Sequence, residues 1–245
     1  MNVACVDRWE LLDQMFSALS EERGGWVITA NLDFLRRFVK DPESRELYNA
    51  GDIIVADGMP LVWAAKLQGT PLPERIPGST LTWLLAERAA QENRSLYLLG
   101  GDPGAAAAAR VVLEERWPGL RIAGHSAPWV SNPPSQEELQ SIAQEIRDCS
   151  PDIILVGLGS PKQEYVIQAL LQQFPKAWMM GVGISFSFVA GQERRAPIWV
   201  RRIGLEWFHR LLHDPRRLAK RYLVDDLPFA FELLLGALKH RFSKS

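Results

Sequence analysis

The sequence lacks several features that mark common classes of protein. Only two of its 245 residues are cysteine, Cys5 and Cys149, and their spacing matches neither a metal site nor a redox motif. Low cysteine content without such spacing is typical of a reducing compartment. The N-terminus also lacks the basic start and continuous apolar core of a secretory signal. We therefore expect a cytoplasmic protein.

Long apolar runs are missing too. The most apolar stretch, residues 227–238, contains Pro228 and Glu232, and it is shorter than the roughly 20 residues that a membrane-spanning helix requires. Any contact with a membrane is then expected to be peripheral.

Common cofactor and metal motifs are incomplete or missing. The segments 157–162 and 181–186 begin like a dinucleotide fingerprint but lack its third glycine, which disfavours an oxidoreductase. The sequence has no Walker A loop, no nucleophile elbow, no metal-spaced His/Cys cluster and no Asp-x-Asp. We expect no cofactor and no metal. If the ligand is a diphosphate, backbone amides and arginines must neutralise it.

What is present is a repeated alternation of strand and helix patterns. Apolar runs such as Ile53 to Val55 are typical of buried parallel strands, and amphipathic segments separate them about six times along the chain. This alternation predicts an α/β, Rossmann-like fold, with a mainly parallel sheet and helices on both faces. A change in composition near residues 191–197 predicts that this core spans residues 1–195.

Polar residues follow several of the predicted strands. Asp57 ends the run that starts at Ile53, and Thr29 and Asn31 end the run at residues 26–31. In a parallel sheet these positions meet at the edge where ligands bind, so we expect Asp57 to take part in chemistry. The alternative is structural: Asp57 would cap a helix that starts near Pro60, and Asn31 would be an ordinary helix N-cap.

Other candidates lie at the same predicted edge. Lys162, Gln163 and Glu164 begin the helix that follows the strand at residues 152–159. A glycine-rich turn after another strand, with Gly100 and Gly101, offers backbone N–H groups that could hold an anion, although the same glycines also suit a tight turn. The proline-rich loop 70–79 carries Arg75, a residue suited to phosphate or carboxylate recognition and also common on surfaces.

The end of the chain is basic, although the net charge is only −1. Residues 194–245 hold 12 Lys/Arg against 5 Asp/Glu, which leaves 16 against 24 in the preceding residues, or +7 after −8. The spacing from Arg216 to Asp226 predicts a basic amphipathic helix. We expect residues 196–245 to form a helical appendage whose partner is a phosphorylated ligand or an anionic membrane surface, with solvated charge as the alternative.

Several stretches, taken in order, resemble the WecG/TagA/CpsF family of bacterial glycosyltransferases over about residues 26–223. The stretches are ITANLDFL, ADGMPLVWAAKLQG, LPERIPGS, YLLGGDPG, WPGLRIAG, VGLGSPKQE, GVGISFSFVAG, ERRAPIW and GLEWFHRLLHDPRRLAKRY. The resemblance implies an inverting, metal-independent enzyme on the inner face of the cell membrane. Such an enzyme moves a sugar from a UDP-sugar to a sugar on a polyprenyl diphosphate during synthesis of surface polysaccharide or wall polymer.

The resemblance also implies roles for individual residues. Asp57 matches the proposed catalytic base, and the other polar members of the active site match Thr29, Asn31, Arg75 and Gln163. Arginines of the appendage would neutralise the diphosphate and would close over the site at the membrane. They include Arg210, Arg217 and Arg221.

One position departs from the family pattern. Phe186-Ser187 stands where members often carry Phe-Asp, which leaves the donor open among N-acetylmannosamine, its uronic acid and a glucose-type sugar. A UDP-binding module without catalysis remains the alternative function. We expect no nucleic-acid partner, whereas apolar residues on a membrane-free appendage would allow self-association.

Overall fold

The protein is described from a computed structural model that defines residues 1–243, apart from the side chains of Arg202, Arg217 and Ser243. Its centre is a sheet of six short strands. They are β1 (Gly25–Ala30), β2 (Ile53–Ala56), β3 (Ser95–Gly100), β4 (Arg121–Ser126), β5 (Ile153–Gly157) and β6 (Trp178–Gly181).

All neighbouring strands pair in parallel, in the order β2-β1-β6-β5-β3-β4. The carboxyl ends of all six strands therefore lie along one edge. The helix after β3 packs on one face of the sheet and the helix after β5 packs on the other, and the same reversal occurs between β1 and β6. Such switch points open crevices at the carboxyl edge, where ligands of α/β proteins bind.

Helices cover both faces, which confirms the predicted fold class. Those before the appendage are α1 (Arg8–Ser20), α2 (Leu32–Lys40), α3 (Pro42–Asn49), α4 (Met59–Gln68), α5 (Gly78–Gln91), α6 (Ala105–Arg116), α7 (Gln136–Arg147), α8 (Lys162–Leu171) and α9 (Ser185–Val189). Helices α1, α5, α6 and α9 enclose one apolar core, and α2, α3, α7 and α8 enclose the other. Alternate residues of each strand feed the two cores, as Val27 and Ile28 do.

Local sequence explains where the helices begin and end. Asp7 and Ser135 form capping boxes with Glu10 and Glu138 at the starts of α1 and α7. Gly69 ends α4 in the left-handed conformation, with φ of 89°. Helix α3 has a proline in its first turn and Asp41 as its cap, so it starts directly after α2 as a separate helix.

The remainder of the described chain is helical. It comprises α10 (Ile198–Arg202), α11 (Glu206–His213), α12 (Pro215–Ala219), a π-helical segment (Lys220–Asp226) and α13 (Leu227–Ser243). Helix α13 packs against α4, and the π-helical segment packs against α2. Within the described residues, no helix is both long and apolar enough to cross a membrane.

The segment from Arg216 to Asp226 is helical, as predicted, but its geometry is not regular. The chain changes from α-helical to π-helical geometry after Ala219, so the four-residue spacing does not produce a continuous basic face. Asp226 and Leu218 are buried, because this segment is packed onto the core. Its charges are consequently divided between solvent and ion pairs with α2.

Candidate active site

The site lies where β1 and β2 end side by side. The backbone N–H of Asp57 donates to the carbonyl of Ala30 over 2.8 Å, which continues the β1–β2 ladder by one residue. Thr29 is paired with Val55 in that ladder. Since side chains alternate along a strand, Thr29 and Asp57 lie on the same face of the sheet, the face covered by α5. The two predicted residues are thus brought together.

The structure does not show Asp57 as the cap of a helix, which was the structural alternative for this residue. Helix α4 begins at Met59 with Gly58 as its N-cap and has no side-chain cap. The carboxylate of Asp57 makes no hydrogen bond or ion pair with any described residue, and the residue as a whole is half-buried at the edge of the sheet. Asp57 is therefore a free carboxylate at a strand end and not a cap.

The surroundings of Asp57 perturb its acidity. Burial raises the pKa of Asp57 to about 6, the guanidinium of Arg75 opposes this shift, and the negative charge of Glu206 adds to it. Arg195 and Arg210 also act to lower this pKa. The carboxyl group is consequently ionised at neutral pH but holds a proton more readily than an exposed aspartate, a property suited to a general base.

Asn31 caps a helix, which was the structural alternative for this residue. It is the N-cap of α2, and its side-chain oxygen accepts a hydrogen bond from the N–H of Phe34 over 3.2 Å. Gly58 lies against the backbone of Asn31, so this cap adjoins Asp57. The carboxamide nitrogen of Asn31 has no hydrogen-bond partner in the described part of the chain. A catalytic role for Asn31 stays a prediction.

Arg75 is positioned by the backbone of its loop. The N–H of Ile76 donates to the carbonyl of Ala56 over 2.7 Å, which fixes the loop beside the end of β2. The guanidinium of Arg75 then lies 2.9 Å from a carboxylate oxygen of Glu206. Glu206, in the first turn of α11, also pairs with Arg195 at 3.4 Å. The appendage thus contributes an acidic residue to the site.

These contacts border a pocket of about 320 Å³ at the carboxyl edge. The residues that line it are Arg8, Met59, Arg75, Pro77, Thr80, Arg195, Ile198 and Arg201. Four of the eight are arginines, drawn from α1, the proline-rich loop, the end of the core and the start of the appendage. Sequence reasoning missed Glu206, Arg8, Arg195 and Arg201. Glu206 and Arg195 lie in the stretches GLEW and ERRAPIW, whereas nothing local marked Arg8.

Gln163 lies over β6, the strand on the other side of β1. Its side-chain oxygen accepts from the N–H of Gly183 over 3.2 Å, and its side-chain nitrogen donates to Glu164 over 2.7 Å. A β-carbon on Gly181 would lie 2.5 Å from that nitrogen, so only glycine leaves room for Gln163. The side chain therefore links the ends of β5 and β6, two strands away from β2.

Glu164 is a substrate-binding candidate from the sequence by its place at the sheet edge, but its side chain is enclosed. It is 2% exposed, and burial raises its pKa to about 7. One of its oxygens accepts from Gln163, and the other is buried without a hydrogen bond. In this position Glu164 contacts Gln163 and does not face the open edge.

The remaining core candidates lie farther along the edge, over β5 and β3. Gly100 and Gly101 adopt φ of 92° and 90°, and a β-carbon on Gly100 would crowd Leu158 and the backbone of Gly157. Lys162 donates to the carbonyl of Val130 over 3.1 Å. These residues border the crevice between β3 and β5, and the structure does not bring them to Asp57.

Ser187, the position that departs from the family pattern, borders the same crevice. Its hydroxyl donates to a carboxylate oxygen of Asp102 over 2.7 Å. Asp102 belongs to the glycine-rich turn after β3, so an acidic group from the turn lies against the serine.

The three predicted arginines of the appendage differ in placement. Arg210, on α11, is near enough to Asp57 to lower its pKa. Arg221 lies 3.4 Å from Asp33 of α2 and 3.6 Å from Asp226, and both of these aspartates are buried. The side chain of Arg217 lies outside the described residues. Only Arg210 of the two described side chains is therefore close to the candidate base.

A second cavity has a different character. It measures about 620 Å³ and lies between α5 and α6, where Trp83 and Trp117 line it. It is far from the polar strand ends, and its size reflects an open surface groove. Among the described residues, no three His, Cys, Asp or Glu side chains form a group that could hold a metal ion.

The fold and the site define a Rossmann-like α/β protein whose sheet edge combines a desolvated carboxylate with a cluster of arginines. Residues 1–243 match the glycosyl transferase WecG/TagA/CpsF family, and the chain belongs to this family. The family assignment from the sequence is thereby confirmed.

Two relatives carry the same functional name, N-acetylglucosaminyldiphosphoundecaprenol N-acetyl-beta-D-mannosaminyltransferase. The protein of Bacillus spizizenii strain W23 is 32% identical over 199 residues, which cover 81% of this chain and 75% of the relative. The protein of Staphylococcus aureus strain MW2 is 33% identical over 195 residues, which cover 80% and 74%. Both relatives are named as glycosyltransferases.

Proposed function

We propose that this protein is an inverting glycosyltransferase that moves a sugar from a UDP-sugar to N-acetylglucosamine on a polyprenyl diphosphate. The names of the two relatives support this acceptor and an N-acetylmannosamine-type donor. The proposal rests on Asp57. Its carboxylate does not cap helix α4, lies beside Arg75 and has a pKa of about 6.

In the proposed reaction Asp57 removes the proton from the attacking hydroxyl of the acceptor sugar. That oxygen forms a bond to the anomeric carbon of the donor, and the bond from this carbon to the UDP oxygen breaks on the opposite side. The electron pair leaves with UDP, and inversion needs only one base. Thr29 and Asn31 are proposed to orient the reacting sugars, with Gln163 fixed behind them.

Charge on the leaving diphosphate has to be balanced. Arginine is suited to this task because its planar guanidinium binds two phosphate oxygens at once. Arg75 and Arg210 are proposed to act near Asp57, and the glycine-rich turn with Gly100, Gly101 and Lys162 is proposed to bind the nucleotide at the β3–β5 crevice. We propose that no metal ion is needed.

Residues 196–245 are proposed to act as an appendage that contacts an anionic membrane surface. Of the 17 large apolar residues that are exposed in the described chain, 12 lie between Ile198 and Phe242. Apolar exposure on this scale together with basic residues is typical of a peripheral membrane surface. The inner face of the cell membrane is the location where UDP-sugars and the lipid-linked acceptor meet.

The experiment is release of UDP from a panel of UDP-sugars, with and without a polyprenyl-diphosphate N-acetylglucosamine acceptor, in the presence of EDTA. We expect release from an N-acetylmannosamine donor that depends on the acceptor and is not reduced by EDTA. Binding of UDP without turnover of any donor would favour the non-catalytic module. Loss of activity in EDTA that added metal restores would contradict the metal-independent mechanism.

A truncated chain tests the appendage. Removal of residues 197–245 is expected to leave a folded core that binds UDP but transfers almost no sugar, and to abolish sedimentation with anionic vesicles. Full transfer by the truncated chain would show that the site lies wholly in the core.

A further inference from the structure

We propose that the four-arginine pocket, lined by Arg8, Arg75, Arg195 and Arg201, binds the diphosphate of the lipid-linked acceptor. The inference rests on the proposed function and assigns a ligand to a pocket of which the proposed reaction uses only Arg75; Arg8, Arg195 and Arg201 have no role there. It separates this diphosphate from that of UDP, which is placed at the β3–β5 crevice.

The charge of the pocket indicates an anionic ligand. Arg8 pairs with Glu74, and Arg75 and Arg195 share Glu206. Glu74 and Glu206 pair with three of these guanidinium groups, and Asp57 acts on Arg75 and Arg195 from beside the pocket, which leaves Arg201 without a carboxylate partner among the described residues. Like charges held together in a partly buried place repel each other, so an anion between them is stabilised.

Arg201 provides the most direct evidence. Its side chain makes no hydrogen bond or ion pair with the described residues, and its Nε is buried. A buried N–H without a partner is unfavourable, because it has lost its hydrogen bond to water. Its positive charge adds to the effect of burial in lowering the pKa of Arg195. A phosphate oxygen would satisfy the Nε of Arg201 and remove this repulsion.

The start of α5 adds backbone donors to the pocket. Pro77 precedes the first turn of this 14-residue helix, and there is no side-chain cap. Pro77 and Thr80 both line the pocket, and Thr80 is held there by two 3.2 Å hydrogen bonds from Arg195. The N-terminus of a helix favours negative charge, which again suits phosphate.

The rim of the pocket distinguishes a lipid from a nucleotide. Ile198 lines the pocket and is 59% exposed, and the adjacent Trp199 is 66% exposed. A prenyl chain leaving the diphosphate would cover such apolar side chains along its length, whereas UDP offers only the face of its uracil ring. Arg75 also lies beside Asp57, so a sugar attached to the bound diphosphate would reach the base.

The test measures binding to the full-length protein by calorimetry, with farnesyl diphosphate, inorganic pyrophosphate and UDP as separate probes. Arg201→Gln is expected to weaken farnesyl diphosphate at least tenfold and to change UDP affinity less than twofold. The matched control is Arg121→Gln, because Arg121 is exposed at the start of β4, on the opposite edge of the sheet. The control should bind all three probes like the wild type.

A second variant tests the lipid. Ile198→Ser is expected to weaken farnesyl diphosphate several-fold and to leave inorganic pyrophosphate unchanged. If Ile198→Ser weakens the binding of both probes equally, or of neither probe, the apolar rim does not bind a prenyl chain. Circular dichroism and thermal melting of each variant exclude misfolding as the cause of a loss.

Other outcomes overturn the assignment. If Arg201→Gln weakens UDP as much as farnesyl diphosphate, the pocket belongs to the nucleotide donor. If it weakens neither probe, the pocket does not bind a diphosphate. Because these measurements need no turnover, an inactive wild-type protein that binds farnesyl diphosphate through Arg201 would refute the proposed reaction and leave the pocket intact.

Discussion

Arg75 of the core and Glu206 of the appendage form an ion pair at 2.9 Å, beside the carboxylate of Asp57. Both side chains are about one-sixth exposed, with values of 15% and 16%. The pair joins the proline-rich loop to the first turn of α11 and sets the charge around the candidate base. The position of the appendage and the pKa of Asp57 are therefore linked.

The first prediction concerns the pH dependence of transfer. A base with a pKa of about 6 is protonated and inactive below that pH, so kcat/KM should fall about tenfold per pH unit below pH 6 and level off above it. The measurement is the pH–rate profile with saturating acceptor. A profile that is flat between pH 5 and 8 would contradict the assignment of Asp57.

The second prediction uses the charge of Glu206. Because this carboxylate raises the pKa of Asp57, Glu206→Gln should move the acidic limb of the pH–rate profile to lower pH. Glu115→Gln removes an exposed carboxylate on α6, far from the edge, and should not move it. If the acidic limb of the pH–rate profile stays at the same pH in Glu206→Gln, the carboxylates of Glu206 and Asp57 do not interact.

The third prediction concerns the ion pairs that hold the appendage to α2. Asp33 is 1% exposed and lies within 3.4 Å of Arg36, Arg37 and Arg221. Burial alone would raise the pKa of Asp33, but the three guanidinium groups together hold it below the usual value. Asp33→Asn should therefore lower the free energy of unfolding by about 3 kcal/mol, because it removes the buried charge that these cations share and leaves only Asp226 for Arg36 and Arg221.

Chemical denaturation near neutral pH checks this loss, with Asp148→Asn at an exposed position as the control. The pKa of Asp33 is lower in the folded state than in the unfolded state. Asp33 therefore stabilises the fold at a pH above its unfolded-state pKa, and this stabilisation is lost as the pH falls. The difference between the two variants should thus shrink in acid. A constant difference would show that the charge of Asp33 is not responsible.

The fourth prediction concerns Glu164, whose pKa is raised to about 7 by burial. A raised pKa means that its contribution to stability is complete below about pH 4.5 and is lost as the pH rises through 7. Glu164→Gln removes the cost of the buried charge, so the variant should be more stable than wild type by roughly 1–3 kcal/mol at about pH 8. Thermal melting at about pH 4 and pH 8 measures the difference, and greater stability only at the acidic pH would contradict the prediction.

Local patterns predicted much of the fold and part of the site. Buried runs with a polar residue at the end were enough to place Thr29 and Asp57 at one edge, because parallel strands align their carboxyl ends. The sequence did not indicate the strand order, which depends on how helices pack across both faces. Nor did it indicate that Arg8 and Glu206 reach the site from opposite ends of the chain, since such contacts leave no local period or motif.

Two other differences have local physical causes. The hydrophobic spacing around Arg221 suggested a regular helix, but packing against α2 produces a π-helical segment there and turns this arginine toward Asp33. Lys162, Gln163 and Glu164 are adjacent in sequence and were treated as one group. Successive residues on a helix point in different directions, so Glu164 is buried while Lys162 is tied to Val130.

The most direct test of the account is sugar transfer by Asp57→Asn, measured beside UDP binding on the same preparation. Asparagine keeps the shape of the side chain but cannot accept the proton, and loss of a general base typically costs about 10²–10⁴ in rate. We predict a loss of transfer in this range with the affinity for UDP unchanged within about threefold. Transfer by Asp57→Asn at close to the wild-type rate would contradict the claim that Asp57 is the base.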